Sequence, residues 1–278
     1  YQSGDLTPQQ YLESLMKAIR QESNDPAWIS VASAEIIEKQ LKHLDQLLSN
    51  KSIANLPLYG VPFAIKDNID AAGWATTVAC PDFAFNPPKN ATAVEKLINA
   101  GAILVGKTNL DQFATGLVGT RSPYGAVPNT FNPSYVSGGS SSGSASVVAR
   151  GLVCFSLGTD TAGSGRIPAA FNNLVGTKPT PGLVSTEGVL PACKSIDCIS
   201  IMTLTAADAD IVLNVMKSTD FDRENESQFH PKPRPLYSFP KPLRIGLPIS
   251  CQFLDDGQYQ IAFTKAVENA KGLDLEFV

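Results

Sequence analysis

The sequence predicts an α/β protein built on a mixed or parallel β-sheet that helices cover on both faces. Short apolar runs of strand length alternate along the chain with amphipathic stretches of helical period, and this alternation is typical of such folds. The chain also has enough apolar material for a large core, because 43% of its 278 residues are hydrophobic and 17% are charged.

Two amphipathic helices are predicted before the first strand. The first begins at a capping box, residues 7–10 (TPQQ), and runs to about Gln21, with proline at its first helical position. The second covers residues 33–48 and has one apolar face, formed by Ile37, Leu41, Leu44 and Leu48. We expect both helices to pack on the outside of the core.

The strands and the later helices follow from apolar runs bounded by turn or capping residues. Strands are predicted over residues 56–67, 102–105, 152–157 and 243–247. Helices are predicted over residues 91–100 and 258–270, near Gly143 and after Thr205. Residues 231–242 contain five prolines and are interpreted as a surface excursion, because a strand and a helix follow them.

Composition excludes several classes of partner. The net charge is -4 and no basic run exceeds two neighbours, so nucleic acid is not expected. No run of about 18 apolar residues occurs, and the first ten residues lack the apolar core of a signal peptide, so no membrane partner is expected. The five cysteines are odd in number and form no CxxC pair. They indicate a reducing, cytoplasmic location, and we expect neither a metal nor a cofactor.

Residues 137–166 hold the strongest functional signal. Two turns rich in glycine and serine flank a short helical run and the apolar segment 152–157. Glycine permits positive φ and close approach to the main chain, and a helix start leaves unpaired N–H groups. These turns therefore suit an oxyanion or anion site. The alternative is a flexible connector, which a buried apolar strand would not interrupt.

Residues 101–108 (GAILVGKT) match the pattern of a nucleotide-binding P-loop. That motif requires a strand, then a loop between the two glycines, then a helix. Here a helix comes first and the residues between the glycines are the predicted strand. We therefore expect Gly101 to cap the helix and Gly106 to end the strand, without ATP binding.

Residues 139–143 (GSSSG) fit the G-x-S-x-G nucleophile elbow, which would make Ser141 the nucleophile of an α/β-hydrolase. That mechanism needs a histidine base, and the chain has two histidines. We interpret His43 as a solvated residue on the polar side of a helix, and His230 lies in the proline-rich stretch. The nucleophile elbow stays an alternative, with a histidine from outside this sequence as the base.

Lys66 is the best placed base for a serine. It follows the apolar run 61–65, and burial lowers the pKa of a lysine, so a neutral amine could accept a proton near pH 7. Asp67 would raise that pKa, but neighbouring side chains on a strand point to opposite faces. The alternative is a lysine that extends from a strand end to solvent.

The same residues resemble the signature of the amidase signature family of serine hydrolases. The resemblance is carried by VPFAIKDNID at residues 61–70, GGSSSGS at 138–144 and GTDTAGSGRIPAAFNNLVGTKPT at 158–180. Within the family, DTAGSGR together with residues 107–125 and 194–200 is similar to the allophanate hydrolases. The match extends from residue 56 to about residue 216, and it implies the amidase signature fold.

The resemblance implies a Ser–cis-Ser–Lys triad. In it Ser164 is the nucleophile, Ser140 is the serine that follows a cis peptide bond, and Lys66 is the base. The implied oxyanion hole consists of the backbone N–H groups of Thr161, Ala162, Gly163 and Ser164. Most members of the family have glycine where this chain has Ala162, so a positive φ there would strain the alanine.

The resemblance also implies hydrolysis of allophanate, a urea-derived carboxylate, with release of ammonia in ATP-dependent urea degradation. A local cation would bind the carboxylate, and the candidates are Arg121 and Arg166. For Arg166 a buried pair with Asp160 is the preferred interpretation. Further substrate-binding candidates in the serine turn are Ser137, Gly138 and Gly139.

We therefore expect one amidase signature domain over residues 1–278, made of N-terminal helices and a catalytic core, that continues past Val278. Its expected partners are the small amide substrate, urea carboxylase in the same chain or pathway, and further copies in a homo-oligomer. The alternatives are another amidase of the family, such as a glutaminyl-tRNA amidotransferase component or a general amidase, the Ser141 esterase, and a catalytically silent binding protein on this fold.

Overall fold

In a computed structural model of the chain, the described residues are 1–21, 24–217, 242–248, 257–273 and 275–278. The chain divides into two compact units, Tyr1–Phe229 and His230–Val278. The helices described in the first unit are α1 (Pro8–Gln21), α2 (Ala34–Asn50), α3 (Thr92–Asn99), α4 (Ser142–Ala149), α5 (Arg166–Phe171) and α6 (Ala206–Met216). Its strands are β1 (Trp28–Val31), β2 (Pro62–Lys66), β3 (Ile103–Thr108), β4 (Phe155–Asp160), β5 (Val175–Thr177) and β6 (Cys198–Thr203).

These six strands form one mixed sheet in the order β1-β3-β2-β4-β6-β5. The central strand β2 runs parallel to both of its neighbours, β3 and β4, whereas β1, β6 and β5 join in antiparallel pairs. Every residue of β2, β3, β4 and β6 is buried, so both faces of the inner sheet are covered. The predicted α/β fold with a mixed sheet is confirmed.

The helix starts follow the predicted capping residues. Gln10 N donates to Thr7 Oγ1 at 3.2 Å, and Thr7 N donates to Gln10 Oε1 at 3.0 Å. These two bonds form the reciprocal pair of a capping box. Thr205 likewise accepts a hydrogen bond from Asp208 N at 3.1 Å at the start of α6. Local sequence therefore sets where these helices begin.

Several strand boundaries differ from the prediction. Strands β1, β5 and β6 were not predicted, β4 begins three residues later than expected, and β2 begins at Pro62 instead of residue 56. Residues 56–61 form turns, in which Tyr59 N donates to Leu56 O and Val61 N donates to Leu58 O. Leu56 and Leu58 are buried in these turns without being part of the sheet.

Strand β3 includes Gly106, which was expected to end it. The ring of Trp28 lies over this position, and a Cβ atom on Gly106 would be 2.5 Å from Trp28 Cζ3. Glycine is needed here for close packing instead of for a turn. Since residues 103–108 are all strand, the GAILVGKT stretch is no P-loop, whereas Gly101 does cap α3 with φ +96°.

The second unit contains β7 (Leu243–Ile245), α7 (Gly257–Ala270) and β8 (Leu275–Phe277), and its two strands pair in parallel. The predicted strand at residues 243–247 and helix at 258–270 both occur here. The proline-rich stretch 231–242 lies almost entirely outside the described residues. In the described part of the chain, no helix combines the length and apolar character needed to cross a membrane.

Candidate active site

The predicted site residues meet where β2 and β4 end. These strands are parallel neighbours, so their carboxyl ends lie at the same edge of the sheet. Lys66 is the last residue of β2, and Asp160, the last residue of β4, leads through a turn into α5. The turn that contains Ser140 precedes α4, which packs against both strands.

Lys66 is fully buried, and its nearest partners are uncharged hydroxyl groups. Its Nζ lies 2.7 Å from Ser140 Oγ and 2.8 Å from Thr159 Oγ1. Desolvation lowers the pKa of Lys66 from its ordinary value of 10.5 to about 7, although the negative charges of Asp111, Asp160 and Asp197 oppose this shift. A substantial fraction of this lysine is therefore neutral near pH 7.

Asp67 points away from the serine turns, as the alternation of side chains along a strand predicts. Its Oδ1 lies 2.9 Å from Lys107 Nζ, and both side chains are fully buried. Its Oδ2 accepts hydrogen bonds from Thr77 N at 2.8 Å and Thr77 Oγ1 at 2.6 Å. The carboxylate next to Lys66 in sequence is thus paired elsewhere.

The peptide bond between Gly139 and Ser140 is cis, at the position that the resemblance implies. Ser140 O accepts a hydrogen bond from Asp111 N at 3.1 Å, and Gly139 N donates to Leu117 O at 2.8 Å. A Cβ atom on Gly139 would collide with the Asp111 carboxylate, so this tight approach requires glycine. The turn is thereby fixed with the Ser140 hydroxyl against Lys66.

Asp160 fixes the turn that carries Ser164. Its carboxylate accepts hydrogen bonds from Gly163 N at 2.8 Å, Gly165 N at 3.1 Å and Arg166 N at 3.0 Å. Ser164 O also accepts a hydrogen bond from Ser141 N at 3.0 Å, so the two serine turns are joined through the backbone. Among the described side chains, no hydrogen bond links the hydroxyls of Ser140 and Ser164.

The four predicted oxyanion-hole groups are not equivalent. Gly163 N–H is bound to Asp160, whereas the N–H groups of Thr161, Ala162 and Ser164 donate to no acceptor in the described part of the chain. Ala162 does not adopt a positive φ, so alanine fits without strain where most of the family has glycine. The Thr161 hydroxyl donates a short hydrogen bond to Asp197. Three of the four N–H groups are therefore free in the described structure.

The two candidate arginines lie in different surroundings. Arg166 forms a two-pronged pair with Asp160, with its Nε and Nη2 each 3.0 Å from a carboxylate oxygen. The pairing was expected from the sequence, but the Arg166 side chain is about half exposed instead of buried. Arg121 donates to Thr115 O at 3.3 Å and lines a surface cavity of about 560 Å³. None of the three predicted triad residues lines that cavity.

Ser137 and its neighbours shape the turn before α4. Ser137 Oγ donates to Ser142 O at 3.2 Å and accepts from Asn172 Nδ2 at 3.0 Å. Gly138 has φ +77° and lies against α5, where a Cβ atom would be 3.1 Å from Pro168 Cα. These contacts give Ser137 and Gly138 a role in the turn; their proposed contact with substrate stays a prediction.

The nucleophile elbow is not supported. Ser141 is fully buried, and its Oγ donates to Thr159 O at 3.2 Å and accepts from Thr159 N at 3.3 Å. Its hydroxyl therefore joins α4 to β4. His43 lies on α2, where it is partly buried instead of solvated. No hydrogen bond connects His43 to either serine turn in the described residues, and His230 lies outside them.

Sequence reasoning missed Thr159, Asp111 and Lys107. Thr159 Oγ1 accepts from Lys66 Nζ and also from Asn68 Nδ2 at 3.2 Å. Asp111 is fully buried, and its two carboxylate oxygens accept from Gly119 N and Arg121 N. Thr159 could have been found from its place in the GTD run before the nucleophile turn. The other two lie far from the serines in sequence, although both fall in residues 107–125, a stretch that carries the family resemblance.

Asp160→Ala is expected to lower the free energy of unfolding by about 3–5 kcal/mol, because it leaves three backbone N–H groups and two cations without their buried partner. Burial alone would raise the pKa of Asp160, but the hydrogen bonds from Arg166 and the turn hold it well below its ordinary value of 3.8. A group with a lowered folded pKa stabilises the fold above its unfolded pKa, so this contribution is present above about pH 4 and is lost as the pH falls further.

Urea unfolding at pH 7 and pH 3 measures this effect. Arg166→Met is the matched control, because that side chain is about half exposed and its loss leaves Asp160 with Lys178 and the turn N–H groups. It should cost less than about 1 kcal/mol. Equal losses for the two variants would show that the turn does not depend on Asp160.

The known proteins that this chain is similar to are amidases. The amidase family model matches residues 10–278. The urea amidolyase of Saccharomyces cerevisiae is 52% identical over 259 residues, which are 93% of this chain and 14% of that protein. Among solved structures, the allophanate hydrolase of Kluyveromyces lactis is similar with a TM-score of 0.91 and 48% identity, over 99% of this chain and 45% of that one.

A more distant similarity reaches other amidases. A solved glutamyl-tRNA(Gln) amidotransferase component from Thermotoga maritima has a TM-score of 0.78 and 31% identity, over 97% of this chain and 56% of that one. The chain thus spans 14% of the yeast urea amidolyase and 45% of the solved allophanate hydrolase.

Proposed function

This chain belongs to the amidase family, and we propose that it is the part of an allophanate hydrolase that carries the catalytic serines. The observation that carries the chemistry is the 2.7 Å contact between Ser140 Oγ and a fully buried Lys66 whose pKa is lowered to about 7. The substrate is proposed from the relatives, because the chain is about half identical to a urea amidolyase and to an allophanate hydrolase.

The reaction begins with proton transfer toward Lys66. The neutral amine of Lys66 accepts the proton of Ser140, and Ser140 accepts that of Ser164 as Ser164 Oγ attacks the amide carbonyl. The second transfer requires the Ser164 side chain to turn toward Ser140, since their hydroxyls are not hydrogen-bonded. The hydrogen bond from Ser141 N to Ser164 O joins the backbones of the two turns and supports this step. A serine acts as a nucleophile once an adjacent base can take its proton.

The oxyanion forms beside the free N–H groups of Thr161, Ala162 and Ser164. Each well-placed donor lowers the barrier by about 3–4 kcal/mol. The C–N bond then breaks, and the proton held by Lys66 returns through Ser140 to the leaving nitrogen, which departs as ammonia. Water attacks the acyl-enzyme ester, and the same relay restores the Ser164 hydroxyl.

The substrate carboxylate needs a cation, for which the sequence offers Arg121 and Arg166. Arg166 is paired with Asp160, and Arg121 lines a separate surface cavity. Of these two arginines, Arg121 is proposed as the cation that binds the carboxylate. Urea carboxylase, as part of the same polypeptide or pathway, is proposed as the source of allophanate from the urea amidolyase relatives. The homo-oligomer and the cytoplasmic location stay predictions.

Ammonia release from a panel of amides tests the proposed substrate. With allophanate, acetamide and glutamine compared at pH 8, kcat/KM for allophanate should exceed that for the other two by at least about 100-fold. Acetamide lacks the carboxylate that makes the charge-assisted contact, and glutamine carries its carboxylate farther from the amide and beside an ammonium group. The Ser164→Ala variant supplies the background rate for each amide. Turnover of acetamide or glutamine without turnover of allophanate would assign the chain to a general amidase or an amidotransferase component.

A further inference from the structure

A second lysine is buried as completely as Lys66, and the proposed reaction does not use it. Lys107 lies on β3, directly beside β2, and its side chain has no solvent exposure. Its Nζ contacts Asp67 Oδ1 at 2.9 Å, Ala75 O at 2.9 Å and Thr76 Oγ1 at 2.8 Å. The ion pair and the two hydrogen bonds favour the charged form of Lys107. Burial lowers the pKa of Lys107 from its ordinary value, and the charge of Asp67 opposes that shift.

Lys107 and Lys66 differ in the groups that their ammonium nitrogens contact. Lys66 contacts two hydroxyls, whereas Lys107 contacts a carboxylate. Asp67, the shared neighbour, follows Lys66 directly in the chain and is fully buried. A buried carboxylate without a cation would favour the charged form of any lysine close to it.

We propose that Lys107 is a positioning residue for the reaction, which neutralises Asp67 and holds its carboxylate away from Lys66, so that Lys66 can act as a neutral base. This role rests on the proposed catalytic function of Lys66. The backbone supports it as well, because Asp67 N donates to Thr108 O next to Lys107. The ion pair thus links the end of β2 to the end of β3.

The other carboxylates near Lys66 are also satisfied by nearby donors. Asp160 is paired with Arg166 and Lys178, and Asp111 accepts from two backbone N–H groups. Asp197 accepts from the Thr161 hydroxyl and from the N–H groups of Ala192 and Cys193. Asp67 differs from all three in two ways. It is the residue that follows Lys66 in the chain, and the charge of its carboxylate is balanced by one buried cation, Lys107.

A four-member set of proteins tests this proposal, namely the wild type, Lys107→Met, Asp67→Asn and the double variant. The midpoint of Lys66 titration is followed by NMR of protein with ¹³C-labelled lysine Cε, and Lys66→Met identifies the Lys66 resonance. The pH dependence of Ser164 labelling by a fluorophosphonate gives a second, kinetic midpoint. Lys89→Met is the matched control, because it removes the lysine of a solvent-exposed pair with Glu187.

Lys107→Met should raise the Lys66 midpoint by about one pH unit or more, which corresponds to about a tenfold loss of labelling rate on the acid side. The double variant should return the midpoint toward that of the wild type, because no charge then remains at either position. Asp67→Asn should lower the midpoint, since it leaves a cation unbalanced. Lys89→Met should leave it unchanged.

A purely structural role would lower stability in Lys107→Met without moving the midpoint, and that result would overturn the proposal. If Lys107→Met does not fold, an unmoved midpoint in Asp67→Asn would overturn it instead. The NMR readout is independent of substrate. Shifts in the predicted directions without allophanate turnover would therefore sink the proposed substrate and leave the role of Lys107 standing.

Discussion

Ser164→Ala is expected to reduce amide turnover by at least about 10⁴-fold, as loss of a serine nucleophile does in other serine hydrolases. The change should leave the fold intact. The Ser164 hydroxyl forms no hydrogen bond in the described structure, and the contact that joins the two turns, Ser141 N to Ser164 O, uses the backbone. Ammonia release measures turnover, and urea unfolding measures stability.

Ser141→Ala is the matched control from the neighbouring turn. It removes two hydrogen bonds to Thr159 and should lower the free energy of unfolding by about 1–3 kcal/mol while turnover stays within about tenfold of the wild type. A fluorophosphonate label mapped by mass spectrometry should lie on Ser164 in the wild type and in Ser141→Ala. A label on Ser141, together with activity in Ser164→Ala, would favour the nucleophile elbow.

The fold could be predicted where local chemistry decides it. The capping residues Thr7 and Thr205 mark helix starts in sequence as in structure. The strand boundaries were harder, because apolar runs are buried both in strands and in the turns that precede them. Strand β1 has four residues, which is too short for a clear period. Its place is set by pairing with β3, which no local pattern reveals.

The sequence indicated the candidate site residues but few of their contacts. The scarcity of histidine, the apolar run before Lys66 and the serine turns downstream together favoured a lysine base. Sequence alone could not show that Gly163 N–H is taken by Asp160, because backbone donors carry no residue-type signal. Lys107 was missed for a related reason. A lysine near a strand end usually extends to solvent, and only the fold brings Asp67 opposite it.

Lys66→Met is expected to slow acylation by about 10²–10⁴-fold, the usual contribution of a general base. In the wild type, activity should rise with pH through about 7, the lowered pKa of Lys66, because the amine must be neutral to accept a proton. A histidine base would give a rise in activity near pH 6.5, so the pH of the rise does not distinguish a lysine base from a histidine base. The loss of this rise in Lys66→Met does distinguish them.

The same variant should be at least as stable as the wild type, because methionine has a similar length and burying an ammonium group is costly. The gain depends on pH in a defined direction. Unfolded lysine titrates near 10.5 and Lys66 near 7, so the unfolded wild type binds more protons between these values and its stability rises with pH across that window. The gain in the free energy of unfolding of Lys66→Met over the wild type should therefore be larger at pH 6.5 than at pH 9.5.

Two results would contradict these expectations. Near-normal turnover of allophanate by folded Lys66→Met protein would exclude Lys66 as the base. A stability difference independent of pH would exclude a neutral Lys66 in the native site.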